Sequence, residues 1–120
     1  MNGVVNVAQK FAQFNDHWNP RLVAELNGQH VRLVKFQGEF TWHQHDHEDE
    51  MFLVVNGEFD MRFRDRTERL RAGEFIIVAR GTEHCPYAER EVHVMLFEPA
   101  TTVNTGNVRE ARTRDALTGI

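Results

Sequence analysis

Three histidines stand at alternate positions in the segment TWHQHDHEDEMFLVVNGE, which runs from Thr41 to Glu58. They are His43, His45 and His47. In an extended strand, side chains two residues apart point to the same face and lie roughly 6.5–7 Å apart. Two imidazoles on one face can bind the same metal ion, with each nitrogen roughly 2.0–2.1 Å from it. The spacing therefore indicates a candidate metal site, and the alternative interpretation is a solvated loop with pH-dependent pairing.

A carboxylate follows the histidines at the start of an apolar run. Glu50 lies on the same side of the predicted strand as Phe52 and Val54. If that side faces the interior, the unpaired carboxylate is very costly to bury and needs a cation. A further histidine, His84, follows a glycine turn that comes directly after another predicted strand. The acidic residues between the histidines and Glu50 are expected to be solvent-exposed turn residues: Asp46, Glu48 and Asp49.

The elements that must position these side chains are mostly strands. Apolar and alternating runs recur roughly every eight to twelve residues, with turn residues between them, which predicts an all-β sandwich or barrel. Helical spacing over residues 4–14 predicts one short amphipathic helix. The polar tail, residues 101–120, is expected to be a loose arm or a segment lying on a partner subunit. The predicted strands cover residues 21–26, 29–36, 50–55, 59–64, 75–78 and 92–97, with a further short strand within 65–75.

The bulk properties restrict the class of protein. A chain of 120 residues is the size of one domain. Its net charge is −4 and its arginines are interleaved with acids, so no nucleic-acid partner is expected. The sequence has no apolar stretch near the roughly 20 residues of a membrane helix and no secretory signal, so no membrane partner is expected. With the single cysteine, Cys85, these features predict a protein of the reducing cytoplasm.

The spacing of the candidate ligands resembles the first motif of the cupin family. That motif places a glycine, five residues, His-X-His, three or four residues, Glu, six residues and a glycine in this order. Here His43-Gln44-His45, Glu50 and Gly57 match it, whereas Gly38 precedes His43 by one residue fewer than the pattern asks. The second cupin motif is matched by three residues, Gly73, Gly81 and His84, and departs at two positions, with Ala79 for proline and Ala88 for asparagine.

The resemblance covers residues 31–99 and implies a small single-domain cupin, a double-stranded β-helix or jelly-roll barrel with a core at 21–99. It implies that His43, His45, Glu50 and His84 bind a divalent transition metal inside the barrel, where Fe, Mn, Ni, Cu and Zn all suit the ligands. His47 is then expected at the barrel mouth or just behind the ligands.

The resemblance leaves several functions open. We expect a metal-dependent enzyme acting on a small organic molecule, because similar cupins are described as sugar-phosphate isomerase-like and others are dioxygenases or decarboxylases. A non-catalytic module that binds or senses a small molecule is the alternative, and a barrel that a metal merely stabilises is a third. Short cupins commonly pair through their sheets, so a homodimer is expected, with the strand Asn19–Leu26 and the polar tail as its elements.

Other residues are candidates for lesser roles. His93 is expected to be a core histidine or a proton donor near the metal, and Cys85 is expected to face away from the metal. Arg80 and Tyr87 are candidates for holding an anionic substrate. Apolar residues expected to face inward, as core or as pocket wall, are Phe36, Phe52, Phe59, Met61, Phe63, Ile77 and Met95.

Overall fold

The chain is built mainly from strands, as the sequence predicts. The computed structural model describes residues 3–120 and contains, within them, one short helix and eight strands. The elements are α1 (Val7–Phe11), β1 (Arg21–Leu26), β2 (Gln29–Glu39), β3 (Glu50–Asn56), β4 (Glu58–Phe63), β5 (Thr67–Arg71), β6 (Phe75–Val78), β7 (His84–Pro99) and β8 (Thr118–Gly119). In residues 3–120, no helix has the length and hydrophobicity needed to cross a bilayer.

The helix α1 is shorter than the predicted 4–14. Asn6 caps it, because its side-chain oxygen accepts a hydrogen bond of 3.0 Å from the backbone N–H of Gln9. Val4 and Val5 therefore lie outside the helix and are exposed. Phe11 at the other end is buried with Phe14 and Leu33, so α1 covers part of the outer face of the sheet.

The strand β7 curls the sheet into a barrel. It pairs with β2 along its length, whereas its other edge pairs first with β4 and then with β3. The strands β3 and β4 share this edge of β7, so they diverge from each other. The sheet therefore closes around an interior. The prediction of 92–97 missed the first half of β7, where Pro86 and the run Glu89–Glu91 break the apolar alternation.

Side-chain alternation sends one face of each central strand into this interior. Phe52 and Val54 of β3 meet residues such as Val94 of β7 in the main hydrophobic core. Five of the seven residues expected to face inward are buried there: Phe36, Phe52, Phe59, Met61 and Phe63. The prediction was wrong for two, because Ile77 is 60% exposed on the outer face and Met95 packs outside the barrel with Leu33.

The C-terminal segment 101–120, expected to be a loose arm or to lie on a partner subunit, packs on the barrel of its own chain. β8 pairs in parallel with β1 through Arg21 and Leu22. Nearer the barrel mouth, Gln44 and Asn107 exchange two hydrogen bonds, of 2.9 and 3.0 Å. The segment therefore forms part of the wall around the histidine residues.

Candidate metal centre

Backbone pairing brings the two groups of candidate ligands together. His43 forms an isolated β-bridge with His84, in which each backbone N–H donates to the other residue's carbonyl, at 3.0 and 2.9 Å. The N–H of Gly81 donates to the carbonyl of His45 at 2.8 Å. Gly81 has a φ of +77°, which favours glycine, so the turn before β7 can meet the histidine segment.

The four predicted ligand residues meet at one point inside the barrel. Ligand atoms of His43, His45 and His84 all lie within 4.8 Å of one another. Glu50 is the first residue of β3, and its Oε1 lies 3.2 Å from His45 Nε2 and 3.9 Å from His84 Nε2. All four side chains are buried, so the structure contains a compact His/Glu cluster that can hold a metal ion.

Hydrogen bonds at Nδ1 fix the orientation of two of the imidazoles. His43 Nδ1 and His84 Nδ1 each lie 2.8 Å from a backbone carbonyl, those of Thr41 and Thr82. A ring that donates from Nδ1 leaves a lone pair on Nε2, which is the arrangement found in metal-binding histidines. His84 Nε2 is buried and has no hydrogen-bond partner within residues 3–120.

Unpaired buried atoms gather at the centre of this cluster. His45 Nε2 and Glu50 Oε1, like His84 Nε2, have no hydrogen-bond partner among the described residues. An unsatisfied buried polar atom costs about 1–3 kcal/mol, and more when it is charged. These donor atoms fit a divalent cation, since imidazole and carboxylate together suit first-row transition metals.

The titration behaviour of the cluster agrees with that fit. Burial, with the charge of His84 as a smaller cause, lowers the pKa of His43 to about 3. Burial lowers the pKa of His84 to about 4, and it also lowers the pKa of His45. The three rings are therefore neutral near pH 7, as metal binding requires. Burial raises the pKa of Glu50, which shows how poorly the carboxylate charge is compensated by the protein alone.

A buried ion pair that was not predicted from the sequence, Arg32 with Glu98, lies close to Glu50. Arg32 Nη1 lies 3.0 Å from Glu98 Oε1, and both side chains are almost fully buried. The side-chain period of two could have revealed both residues. Glu98 is in step with the inward-facing Val94 and Leu96, and Arg32 is in step with inward-facing residues of β2.

A small cavity adjoins the cluster on its apolar side. Its volume is about 30 Å³, and His43 and Glu50 are among the residues that line it. One wall is Trp18, which lies between α1 and β1. The Trp18 ring stacks on Phe36 and Phe40, with centroids 4.4 and 4.5 Å apart. Trp18 has a φ of +61°, a left-handed conformation that no sequence signal predicts for tryptophan.

The lesser candidates lie away from this cavity. His47 is exposed beside an outer cavity that His45 also lines, which agrees with its expected place at the barrel mouth. His93 is neither in the core nor near the cluster, because it faces outward and stacks on Phe11. Arg80 pairs with the exposed Asp49 and does not line the cavity.

Two further candidates lie on other surfaces. Tyr87 lies under the guanidinium of Arg62 and also does not line the cavity, so neither it nor Arg80 is placed to hold a substrate there. Cys85 is fully buried in β7 opposite Arg62, and burial raises the pKa of its thiol, so it is not an activated nucleophile.

Comparison with known proteins identifies the family. Residues 29–98 match the cupin domain, and the chain therefore belongs to the cupin family. An uncharacterised protein of Bacillus subtilis, YdbB, is 37% identical over 79 residues, which are 65% of this chain and 64% of that protein. The alignment thus spans less than two thirds of the length of this relative.

Solved structures give the same fold. A cupin-2 domain protein from Shewanella frigidimarina is 45% identical, with a TM-score of 0.79 over 80% of this chain and 94% of that one. The protein NMB1881 from Neisseria meningitidis is 27% identical, with a TM-score of 0.75 over 82% of this chain and all of that one. These likenesses confirm the resemblance that the two motifs indicate.

Proposed function

We propose that this cupin holds one divalent transition metal on His43, His45, Glu50 and His84 and acts as a metal-dependent enzyme on a small organic molecule. The observation that supports it best is the convergence of three neutral imidazoles and one carboxylate whose inward atoms have no other partner. A structural ion pair does not explain three unprotonated rings around one acid. A cation at their common centre does.

The cavity beside His43 and Glu50 supports a catalytic role over a purely structural one. A cation held by the four residues would face this cavity, because His43 and Glu50 are among the residues that line it. A metal there supplies Lewis acidity, and redox chemistry if it is a redox-active ion. The chain itself holds the rings neutral and surrounds the reacting molecule with apolar walls that exclude water.

The same cavity limits the substrate. A volume of about 30 Å³ is close to the space that one water molecule takes in the liquid. Ordinary ligand pockets measure about 300–1,000 Å³. A substrate of several heavy atoms therefore needs more space than this cavity offers. The cavity is lined mainly by apolar and aromatic residues, Trp18, Phe36 and Phe52 among them, which favours a compact, weakly polar substrate.

The small cavity also supports the alternative function, a non-catalytic module that binds or senses a small molecule. A site with room for only a metal and one small ligand is sufficient for binding or sensing. This alternative predicts metal binding and ligand-dependent stabilisation without turnover.

Metal analysis followed by activity screening tests the proposal. Elemental analysis of reconstituted wild-type protein is expected to give one metal per chain. His43→Ala and His84→Ala are expected to lose it, whereas the matched control His47→Ala, which alters an exposed histidine, keeps it. Full metal content in both ligand variants would refute the ligand assignment.

The activity screen separates the two functions. Keto acids, phenols and sugar phosphates are incubated with wild-type protein loaded with each metal in turn. Turnover that is lost in His84→Ala supports the enzyme. Ligand-dependent stabilisation without turnover under every metal supports the binding module.

We also propose that the protein is a homodimer, but through a surface other than the one suggested by sequence. The edge of β1 is partly occupied by β8 of the same chain. The outer face of β6, β3 and β7 instead carries two uncharged rows across paired strands: Ile77, Met51 and Phe97, and Phe75, Leu53 and Met95. Phe75 and Ile77 are each 60% exposed. Burying this apolar face against the same face of a second chain, related by a twofold axis, would remove it from water.

A further inference from the structure

Part of the chain's own C-terminal segment covers the cavity beside the histidine cluster. Asn104 lines the inner cavity of about 30 Å³, whereas Gly106 and Asn107 line the outer cavity at the barrel mouth, whose volume is about 160 Å³. This part of the chain therefore separates the two cavities. Gly106 lies so close to the cluster that an added Cβ would be 3.1 Å from Cδ2 of the His43 ring.

Residues 103–114 form a unit with hydrogen bonds of its own, and we call them the strap. The side-chain amide of Asn104 donates to the carbonyl of Arg112 at 2.9 Å. The hydroxyl oxygens of Thr105 and Thr113 lie 2.7 Å apart, within hydrogen-bonding distance. Because both partners of each bond belong to the strap, it can move as one body without breaking them.

The chain is anchored to the barrel on both sides of the strap. Before it, the buried guanidinium of Arg32 donates from Nη1 to the carbonyl of Thr102 at 2.8 Å. After it, β8 pairs with β1, and the N–H of Ile120 donates to the carbonyl of Leu22 at 2.9 Å. An outward movement of the strap therefore turns about two fixed ends and leaves both anchors in place.

Between these anchors the strap is held to the barrel by exposed polar contacts. Gln44 and Asn107 exchange hydrogen bonds of 2.9 and 3.0 Å. Arg112 donates from Nη1 to the carbonyl of Glu39 at 3.1 Å, and its guanidinium lies 4.7 Å from the centroid of the Phe40 ring. Within residues 3–120, the hydrophobic clusters contain no strap residue. A segment with few buried apolar contacts and exposed hydrogen bonds opens at a lower free energy than the core does.

Resting on the proposed metal site, we infer that the strap is a lid that swings away from Gln44 while the barrel stays folded, and that this opening admits the small molecule to the metal cluster. Opening joins the inner cavity to the outer one and uncovers the ring of His43, which lies under Gly106. Closure shuts the cluster off from water again, as lids over reactive sites do.

The competing explanation is that the strap is a permanent part of the barrel wall. Hydrogen exchange of backbone N–H groups in metal-free wild-type protein, followed by NMR, separates the two. The N–H groups of Gln44 and Asn107 join the strap to the barrel, whereas those of His43 and His84 bond to each other's carbonyls beneath it. After correction for intrinsic rates, we expect the first pair to exchange about 100-fold faster than the second. Equal protection of all four N–H groups overturns the inference.

A variant that loosens the strap tests whether its opening gives access to the cluster. Asn107→Ala removes the oxygen that accepts from the N–H of Gln44 at 2.9 Å. Asn6→Ala is the matched control, because Asn6 accepts from the N–H of Gln9 at 3.0 Å in the same way, but at the start of α1. The probe is diethyl pyrocarbonate, which acylates neutral imidazoles, and the exposed His47 serves as the internal reference.

We expect the three buried histidines of the cluster to be acylated about 2–10-fold faster in Asn107→Ala than in wild type, the factor by which one lost hydrogen bond shifts an opening equilibrium. Asn6→Ala is expected to keep the wild-type rate. An unchanged rate in Asn107→Ala overturns the inference. An equal acceleration in Asn6→Ala also overturns it, because access would then come from unfolding of the whole chain. Both measurements use metal-free protein, so if wild type binds no metal, the proposed function fails and the exchange and acylation rates still judge the strap.

Discussion

The buried histidines make the stability of the metal-free protein depend on pH in a defined direction. The pKa of His84 falls from 6.5 to about 4 on folding, mainly because the ring is fully buried. As the pH drops below 6.5, the unfolded chain takes up a proton on this residue, whereas the folded chain does not until about pH 4. The folded state is therefore favoured above pH 6.5, and this contribution is lost as the pH falls towards 4.

The magnitude follows from the size of the shift. One proton of difference changes the free energy of unfolding by about 1.4 kcal/mol per pH unit. Over the interval from 6.5 to about 4, His84 thus contributes about 3 kcal/mol. His43 acts in the same direction, with a pKa lowered to about 3. The raised pKa values of Glu50 and Glu98 act in the opposite direction, so the total slope of the wild type mixes both signs.

Comparing wild type with His84→Gln isolates the contribution of the His84 imidazole to the pH dependence of stability. His84→Gln removes one titrating group and keeps a polar side chain of similar reach. Urea unfolding of chelator-treated protein, followed by tryptophan fluorescence from pH 4.5 to 7.5, gives the free energy of unfolding of each variant. Between about pH 4.5 and 6, we expect the free energy of unfolding of His84→Gln to depend less steeply on pH than that of wild type, by about 1.4 kcal/mol per pH unit, and the two slopes should become equal above about pH 7.

A matched control excludes a general effect of losing an imidazole. His47→Gln alters an exposed histidine outside the cluster and is expected to run parallel to wild type. Parallel lines for wild type and His84→Gln would show that the ring of His84 takes up protons as easily in the folded chain as in the unfolded one, and the argument from burial would be refuted.

Three further outcomes are expected. Trp18→Ala, which removes a stacked ring from the cavity wall, should lower the free energy of unfolding by about 3–5 kcal/mol in urea melts, and a change below 1 kcal/mol would contradict the stacking. Gly106→Ala should loosen the C-terminal segment from the barrel and so speed its cleavage by protease. Gly106 has a φ of +57°, and an added Cβ would overlap the carbonyl oxygen of Gln44. Gly3→Ala is the control, because there is open space around Gly3. Ile77→Lys should reduce the light-scattering mass from twice the chain mass of 14.0 kDa to the single-chain value, whereas Val4→Lys should not, and a monomeric wild type would contradict the dimer.

The sequence by itself determined the parts that depend on short-range periodicity. Alternation put Glu50 on the inward side with Phe52 and Val54, and the structure has all three buried. The turn at Asn27-Gly28 was equally local, since both residues have the positive φ values that a two-residue hairpin requires. The resemblance of the two motifs to those of the cupin family implied which four side chains would lie together, and the structure has them in one buried cluster.

Only the tertiary structure determined which strand faces point outward and which distant segments pack against each other. Ile77 and Met95 are as apolar as core residues, yet pairing with β3 turns them outward. Trp18 reaches the cavity through a left-handed backbone and is held there by stacking on Phe36 and Phe40 and by its hydrogen bonds to β2. The C-terminal segment has no apolar pattern of its own, so its place against Gln44 depends on hydrogen bonds to residues about sixty positions away. Contacts between distant segments leave no periodic trace in the sequence, and they appear only when the barrel closes.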